Sequence, residues 1–466
     1  MPGPLFIGGT GSHVGKSWFT AAFCRLLHRR GVRVAPFKAQ NMSNNSFPCI
    51  EGGEIGRAQA MQAEACGLPP MADMNPVLIK PNSATGSQVV LLGKAWRNVA
   101  ACDYYQHAPE LMCAALESYG RLVSRFPHVV CEGAGSVAEV NLAARDFTNL
   151  RFAEAISAKA LLVADIERGG VFASLVGTMD LLPPGQRSLI RAFAVNRFHG
   201  DLRLFDDGVA FLEDRLKIPC LGVFPFARQI RLDEEDSVSI SDAGARAASD
   251  IAVVRLPRIS NFTDFRLFPN IAWLDRPVHR DFHTIFLPGT KNTMEDLQWL
   301  RESGLAEWIL VQHRGGARII GICGGYQMLG MTIDDPDRLE SNAGRMDGLG
   351  MLPVRTVLRS PKVTRVVAAS IAAGSPLPAY EIHMGQTEVL EPTASFATLA
   401  GGIPEGAQLG RVTGTYLHGI FEHTEVVRQT LGIDVPCVPE KALMYDRLSD
   451  WLVAHSNPRV LEALLT

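Results

Sequence analysis

The chain has 466 residues, 47% of them hydrophobic and 20% charged, with a formal net charge of −3. That length is too great for one hydrophobic core, so two domains are expected, and a slightly acidic balance gives no electrostatic footprint for nucleic acid. No apolar run reaches ~18 residues, which argues against a membrane span; the opening residues lack the charged and apolar regions of a signal peptide; and nine scattered cysteines without a C-x-x-C pair argue against a disulfide framework and for a reducing cytoplasm.

Leu5-Phe6-Ile7-Gly8 reads as a short buried strand, followed by Gly9-Thr10-Gly11-Ser12-His13-Val14-Gly15-Lys16-Ser17. From Lys16 the apolar spacing of Phe19, Ala22, Phe23, Leu26 and Leu27 predicts a helix to about Arg30, with Gly31 as its stop. Strand, Gly-rich loop, Lys-Ser and helix form a P-loop. Gly9, Thr10, Gly11 and Gly15 would present backbone N–H groups to phosphates, Lys16 would reach the β- and γ-phosphates, and Ser17 would ligate Mg²⁺. The spacing is one residue longer than G-x-x-x-x-G-K-[ST], because Thr10 stands where the first glycine is usual.

The second strand, Val32 to Phe37, ends at Lys38, in a polar stretch at a strand edge where ligands sit in open α/β sheets. A Gly-rich segment carrying Glu54 and Arg57 precedes a helix-like run, Ala58 to Cys66, and Lys80 follows in a later loop. The strand Pro127 to Cys131 leads into Glu132-Gly133-Ala134-Gly135, and a carboxylate at that edge is the expected Mg²⁺ partner. Ala160 to Asp165 repeats the pattern before a loop with Arg168; Phe193 to Arg197 puts Asn196 at a strand tip, where it reads a base or simply closes a turn; Pro219 to Pro225 ends the series. Alternating strands and helices predict a parallel, doubly wound sheet over 1–228.

Residues 229–250 change to acidic and small polar composition and read as a linker. The strand pattern restarts at Ile251, and a second strand ends at Pro288-Gly289-Thr290. Then comes Ala317 to Ile320 followed by Gly321-Ile322-Cys323-Gly324-Gly325, a nucleophile-elbow pattern with Cys in place of Ser. A helix starting after Cys323 favours the thiolate, and the N–H groups of Gly324 and Gly289 are candidate oxyanion donors. The same stretch also reads as a buried Cys in a Gly-rich turn, and alone it does not separate the two. A base is available in Gly414-Thr415-Tyr416-Leu417-His418-Gly419, with His383 as its rival. This second domain is expected over 251–443, with a helical tail over 444–466.

Taken together, the runs Lys38 to Ser43, Gly52 to Ala60, Met74 to Leu78, Asp165 to Thr178, Tyr380 to Gly385 and Gly414 to Gly419 make the chain resemble the cobyric acid synthases. These are glutamine-dependent amidotransferases of cobalamin biosynthesis, and the resemblance covers nearly the whole chain. The front half is also similar to dethiobiotin synthetase. The resemblance implies a P-loop α/β domain followed by a class I, or triad, glutaminase domain, with Cys323 as nucleophile and His418 as base. It implies ATP and Mg²⁺ as cofactors, glutamine as nitrogen donor, and amidation of the b, d, e and g carboxylates of adenosylcobyrinic acid a,c-diamide. Lys38 would join Lys16 and Ser17 at the transferred phosphoryl group, Glu132 and Glu54 would hold the metal, and Arg57, Lys80 and Arg168 are candidates for the corrinoid carboxylates. Neither nucleic acid nor membrane is an expected partner, and a homo-oligomer is left open. An enclosed path for ammonia between the two sites is expected.

One departure stands out. Class I glutaminases carry an acid two residues beyond the His; here that position is Ile420, and Glu422 lies four beyond. The acid that orients His418 is therefore not assigned. Cobyrinic acid a,c-diamide synthases share both domain types and are the competing family. A regulatory P-loop ATPase with an inert glutaminase-like domain is the competing reading from another class, although such switches carry a Lys where Gly11 stands.

Overall fold

The computed structural model describes the chain except residues 1–2, 83–85, 101, 228, 231, 233–248, 269, 342, 373 and 437–439. The expected linker over 229–250 lies largely outside the described residues.

The first domain is built on Leu5–Gly9 (β1), Val34–Phe37 (β2), His128–Glu132 (β3), Lys159–Asp165 (β4), Ile190–Phe198 (β5) and Cys220–Pro225 (β6). They pair in the order β6-β5-β4-β1-β3-β2, and every pairing is parallel. β1 through β4 are apolar along nearly their whole length because helices cover both faces, the condition under which a parallel sheet is stable. The strand order reverses beside β1, so the loops after β1 and β3 open at the switch point where ligands bind. A four-stranded sheet, Gln40–Met42, Val77–Pro81, Gly86–Leu91 and Lys94–Ala100, is inserted after β2, where the sequence pattern gives polar and loop residues around the helix-like run Ala58 to Cys66.

The second domain uses Ile251–Val254 (β7), Ala272–Leu274 (β8), Thr284–Leu287 (β9), Arg318–Ile322 (β10), Ala407–Leu409 (β11) and Val412–Thr415 (β12), in the order β8-β7-β9-β10-β12-β11. Its pairings are parallel except that β11 and β12 form an antiparallel edge. A long hairpin, Val354–Ser370 with Leu377–Val389, leans from this domain onto the first.

The helical end of the chain is not an appendage. Lys441–His455 and Pro458–Leu465 return to the first domain and bury Tyr445, Leu448, Trp451, Leu461 and Leu464 in the same core as Phe19, Phe23 and Phe224. The fit is fixed at its edges: Arg25 meets Asp446 at 2.8 Å, Arg30 meets Glu462 at 2.7 Å, and the Trp451 indole N–H donates to the Pro225 carbonyl at 3.1 Å.

Candidate active sites

The loop after β1 leads into the helix Lys16–Arg29 through Gly15, whose φ of 106° is one that L side chains rarely adopt. A Cβ at Gly15 would also lie 2.1 Å from the Asn196 amide nitrogen. That amide donates to the Val14 carbonyl at 2.9 Å, so Asn196 holds the loop itself. The Lys16 ammonium donates to the carbonyls of Gly11 and Gly135, each at 2.8 Å, and thereby joins the loop after β1 to the loop after β3. At the end of β3, Glu132 is the hub. One of its oxygens accepts from Ser17 at 3.0 Å and from Lys38 at 2.8 Å; the other accepts from Gln62 at 2.5 Å. Glu132, Lys38 and Lys16 are all buried. Phosphate-binding loop, hydroxyl, carboxylate and lysine thus converge at one sheet edge, the arrangement that phosphoryl transfer requires.

The second site is organised by strain. Cys323 closes β10 with φ 52° and ψ −108°, and its N–H donates to the Thr415 carbonyl at 2.8 Å. Such backbone is costly for a non-glycine residue and persists only where its surroundings impose it. They do: a Cβ at Gly325 would fall 1.9 Å from the Leu287 carbonyl oxygen, so only glycine lets the elbow press on β9. Beyond β12, His418 is held by two backbone hydrogen bonds with Tyr380, at 2.8 and 3.0 Å, and its ring stacks on the Tyr380 ring. Its Nδ1 lies 3.6 Å from Oδ2 of Asp264, and both side chains are fully buried. Burial pulls the imidazole down, but Asp264 and the Cys323 thiol more than reverse that and push it up to about 9. Burial pushes the Asp264 carboxyl up, against the pull of the neighbouring His418 imidazole. Gly289 packs on His418, where a Cβ would approach Cε1 to 2.9 Å, and Gly324 packs equally closely on Thr290. Cys, His and Asp therefore form one buried constellation at a sheet edge.

Two domain families match the chain. The "CobQ/CobB/MinD/ParA nucleotide binding domain" spans residues 5–240 and the "CobB/CobQ-like glutamine amidotransferase domain" spans residues 250–426. A cobyric acid synthase from Cereibacter sphaeroides is 43% identical over 99% of both chains. One from Sorangium cellulosum is 42% identical over 99% of this chain and 98% of its own, and a probable cobyric acid synthase from Methanoculleus marisnigri is 48% identical over 90% of this chain and 87% of its own. The chain belongs to the cobyric acid synthase family. It is a glutamine-hydrolysing ligase that carries out glutamine-dependent amidation in cobalamin biosynthesis.

In this cobyric acid synthase the residues singled out from sequence fall into three groups. Gly9, Thr10, Gly11, Gly15, Lys16, Ser17, Lys38 and Glu132 surround the phosphate edge. Gly289, Cys323, Gly324 and His418 surround the thiol. The third group sits elsewhere. Glu54 does not meet Ser17; it accepts from Lys80 at 2.8 Å and Lys362 at 2.7 Å, so two ammonium groups occupy the oxygens expected to hold a metal. Burial opposes its ionisation, but Lys362 and Lys80 hold the carboxyl far below its usual range. Lys80 is buried in that triad, and Arg57 is buried with its guanidinium 4.7 Å from the Phe47 ring centroid. Lys80 reads as a loop residue from sequence because the inserted sheet leaves no periodic trace. Arg168 alone of the three is exposed. The rival base His383 spends Nδ1 on the Gly385 carbonyl at 2.8 Å and stacks on Tyr416.

Asp264 is the member of the buried constellation that sequence reasoning missed. It precedes His418 by more than 150 positions, in a short helical turn, Phe262–Phe265, with no local motif. The available signal was negative: Ile420 stands where an acid was expected, which leaves the acid to another segment of the chain.

Proposed function

We propose that the two sites run one reaction sequence in which adenosylcobyrinic acid a,c-diamide gains amides at its b, d, e and g carboxylates, one glutamine and one ATP for each. A carboxylate and ammonia form only a salt in water, so the carboxylate must first acquire a leaving group. Its oxygen attacks the γ-phosphorus of ATP, ADP departs, and an acyl phosphate forms. Lys16 and Lys38 sit where they neutralise charge on the transferred group. Ser17 and Glu132 offer one hydroxyl and one carboxylate 3.0 Å apart, the sparse oxygen set that Mg²⁺ completes with phosphates and water. Bound there, Mg²⁺ supplies further charge neutralisation on the phosphates. Asn196 supports the loop rather than reading the base in this scheme.

In the second domain the Cys323 sulfur attacks the glutamine amide carbon. His418, oriented by Asp264, carries the thiol proton to the departing ammonia, and water then cleaves the thioester to glutamate. The N–H groups of Gly324 and Gly289 receive the oxyanion, each such donor being worth ~3 kcal/mol of barrier. Ammonia attacks the acyl carbon and phosphate leaves. The observation that carries this reading is that the cleft holding Cys323 is lined in part by Lys80 of the first domain, so the thiol opens toward the domain that would use its ammonia. Arg168, exposed beside the ligand edge, remains a candidate for a corrinoid carboxylate. The scattered thiols fit work in the cytoplasm.

Incubation with the diamide corrinoid, glutamine and MgATP, followed by mass analysis, tests the reading. The expected product carries four new amides. A product with two, made from the parent acid, would assign the chain to diamide synthesis instead.

A further inference from the structure

Lys291 and Glu340 face the same cleft as Cys323, and the catalytic scheme above uses neither. Lys291 follows the loop after β9, which is pinned because its backbone N–H donates to the Arg258 carbonyl at 3.0 Å. Its ammonium meets no hydrogen-bond partner among the described residues. Glu340 is built in more elaborately. Asp335, itself fully buried, accepts from the backbone N–H groups of Leu339, Glu340 and Ser341 at 2.7, 2.8 and 3.0 Å and so shapes the turn that delivers Glu340. One Glu340 oxygen accepts from the Thr293 N–H at 2.6 Å, and the Thr293 hydroxyl in turn donates to Gln327 on the elbow helix at 2.8 Å. The second Glu340 oxygen has no hydrogen bond among the described residues.

The other charges of the cleft are already matched. Lys80 and Lys362 share Glu54. Among the described residues that leaves one cation and one anion in the cleft of the thiol, both half-buried. Burial draws both toward neutrality: it lowers the Lys291 ammonium to about 8 and raises the Glu340 carboxyl to about 7. A ligand carrying one carboxylate and one ammonium would give each its counter-charge and replace the hydration that burial removes. Glutamine is such a ligand, with its amide carbon separated from that charged end by two methylene groups.

Resting on the glutaminase reading above, we infer that Lys291 and Glu340 form the receptor for the zwitterionic end of glutamine, Lys291 taking the α-carboxylate and Glu340 the α-ammonium. The thiol then meets only amides whose far end satisfies both charges.

The test is ammonia release from three amides: glutamine, glutaramate, which keeps the carboxylate and lacks the amine, and 4-aminobutanamide, which keeps the amine and lacks the carboxylate. Loss of one charge-assisted contact lowers kcat/KM about tenfold to a hundredfold. In Lys291→Met that loss is expected with glutamine and glutaramate, so the preference for glutamine over 4-aminobutanamide collapses. In Glu340→Gln it is expected with glutamine and 4-aminobutanamide, so the preference over glutaramate collapses. If each variant lowers all three substrates by one common factor, the two residues are structural and the receptor assignment is wrong. If the unaltered protein releases no ammonia from glutamine, the glutaminase reading fails first, and the two failures are told apart.

Discussion

Glu54 Oε1 lies 2.7 Å from Lys362 Nζ, and this contact joins the P-loop domain to the long hairpin of the glutaminase domain. Oε2 of the same carboxylate lies 2.8 Å from Lys80. The Glu54 and Lys80 side chains are almost wholly buried. Removing the carboxylate leaves two buried cations facing each other, and breaking a buried pair costs about 3–5 kcal/mol. Glu54→Gln is therefore expected to lower the denaturant midpoint sharply, and to release more glutamate per amide formed as the domains loosen. A metal role predicts the reverse pattern, a raised Mg²⁺ requirement with stability unchanged. Unfolding curves with a Mg²⁺ titration separate the two.

Division of labour between the sites gives a second expectation. Cys323→Ser removes the sulfur that would form the thioester, yet touches nothing at Lys16, Ser17 or Glu132. Glutamine-dependent amidation should vanish, while amidation from added ammonium salts persists. Lys16→Ala should abolish amidation from either nitrogen source, since the charge on the phosphoryl group is then uncompensated. Loss of both activities in Cys323→Ser would refute separate roles.

The buried His418–Asp264 pair predicts a pH dependence. The folded imidazole titrates at about 9 against an ordinary value of 6.5. A group raised on folding stabilises fully below its unfolded pKa, and that contribution is lost as pH rises through the folded value. Stability should therefore fall between pH 6.5 and 9. Asp264→Asn removes one of the interactions that raise the imidazole, so the fall should flatten in that window and glutamine hydrolysis should drop. Denaturant unfolding at the two ends of the window measures the first. An unchanged slope would mean that Asp264 does not set the state of His418.

Both central sheets were legible because their strands are short apolar runs ending in glycine or charge. Ile251–Val254 and Thr284–Leu287 fall where the pattern puts them, and the helix Lys16–Arg29 ends one residue before the expected last residue, Arg30. Cys323, His418 and the phosphate edge were legible for a related reason: each sits at a strand terminus with a glycine that the geometry requires. What stayed hidden depends on contacts between distant segments. Glu54 looked like a ligand because nothing nearby in sequence announces Lys362, and Asp264 lies in a turn without a motif. The C-terminal helices were readable as helices, but their partner is a face of the first domain that only the closed fold presents.

That return of the chain yields the last prediction. Trp451 packs edge-on against Phe19, with ring centroids 5.5 Å apart, and tilted on Phe224 at 4.9 Å. It covers the face of the helix that begins with Lys16 and Ser17, so the phosphate edge is braced by the far end of the chain. Replacing a buried Trp by Ala costs about 3–5 kcal/mol through lost burial and the cavity left behind. Asp450, the residue before it, is exposed and pairs with Arg29 at 2.5 Å, and such surface pairs are worth at most about 1 kcal/mol. Trp451→Ala should therefore destabilise the protein several times more than Asp450→Ala in denaturant unfolding. It should also raise the KM for ATP, because Lys16 and Ser17 ride on the helix that Trp451 supports. Equal effects from the two variants would show that the terminal helices are held by their charges, and that the aromatic contact does not brace the nucleotide edge.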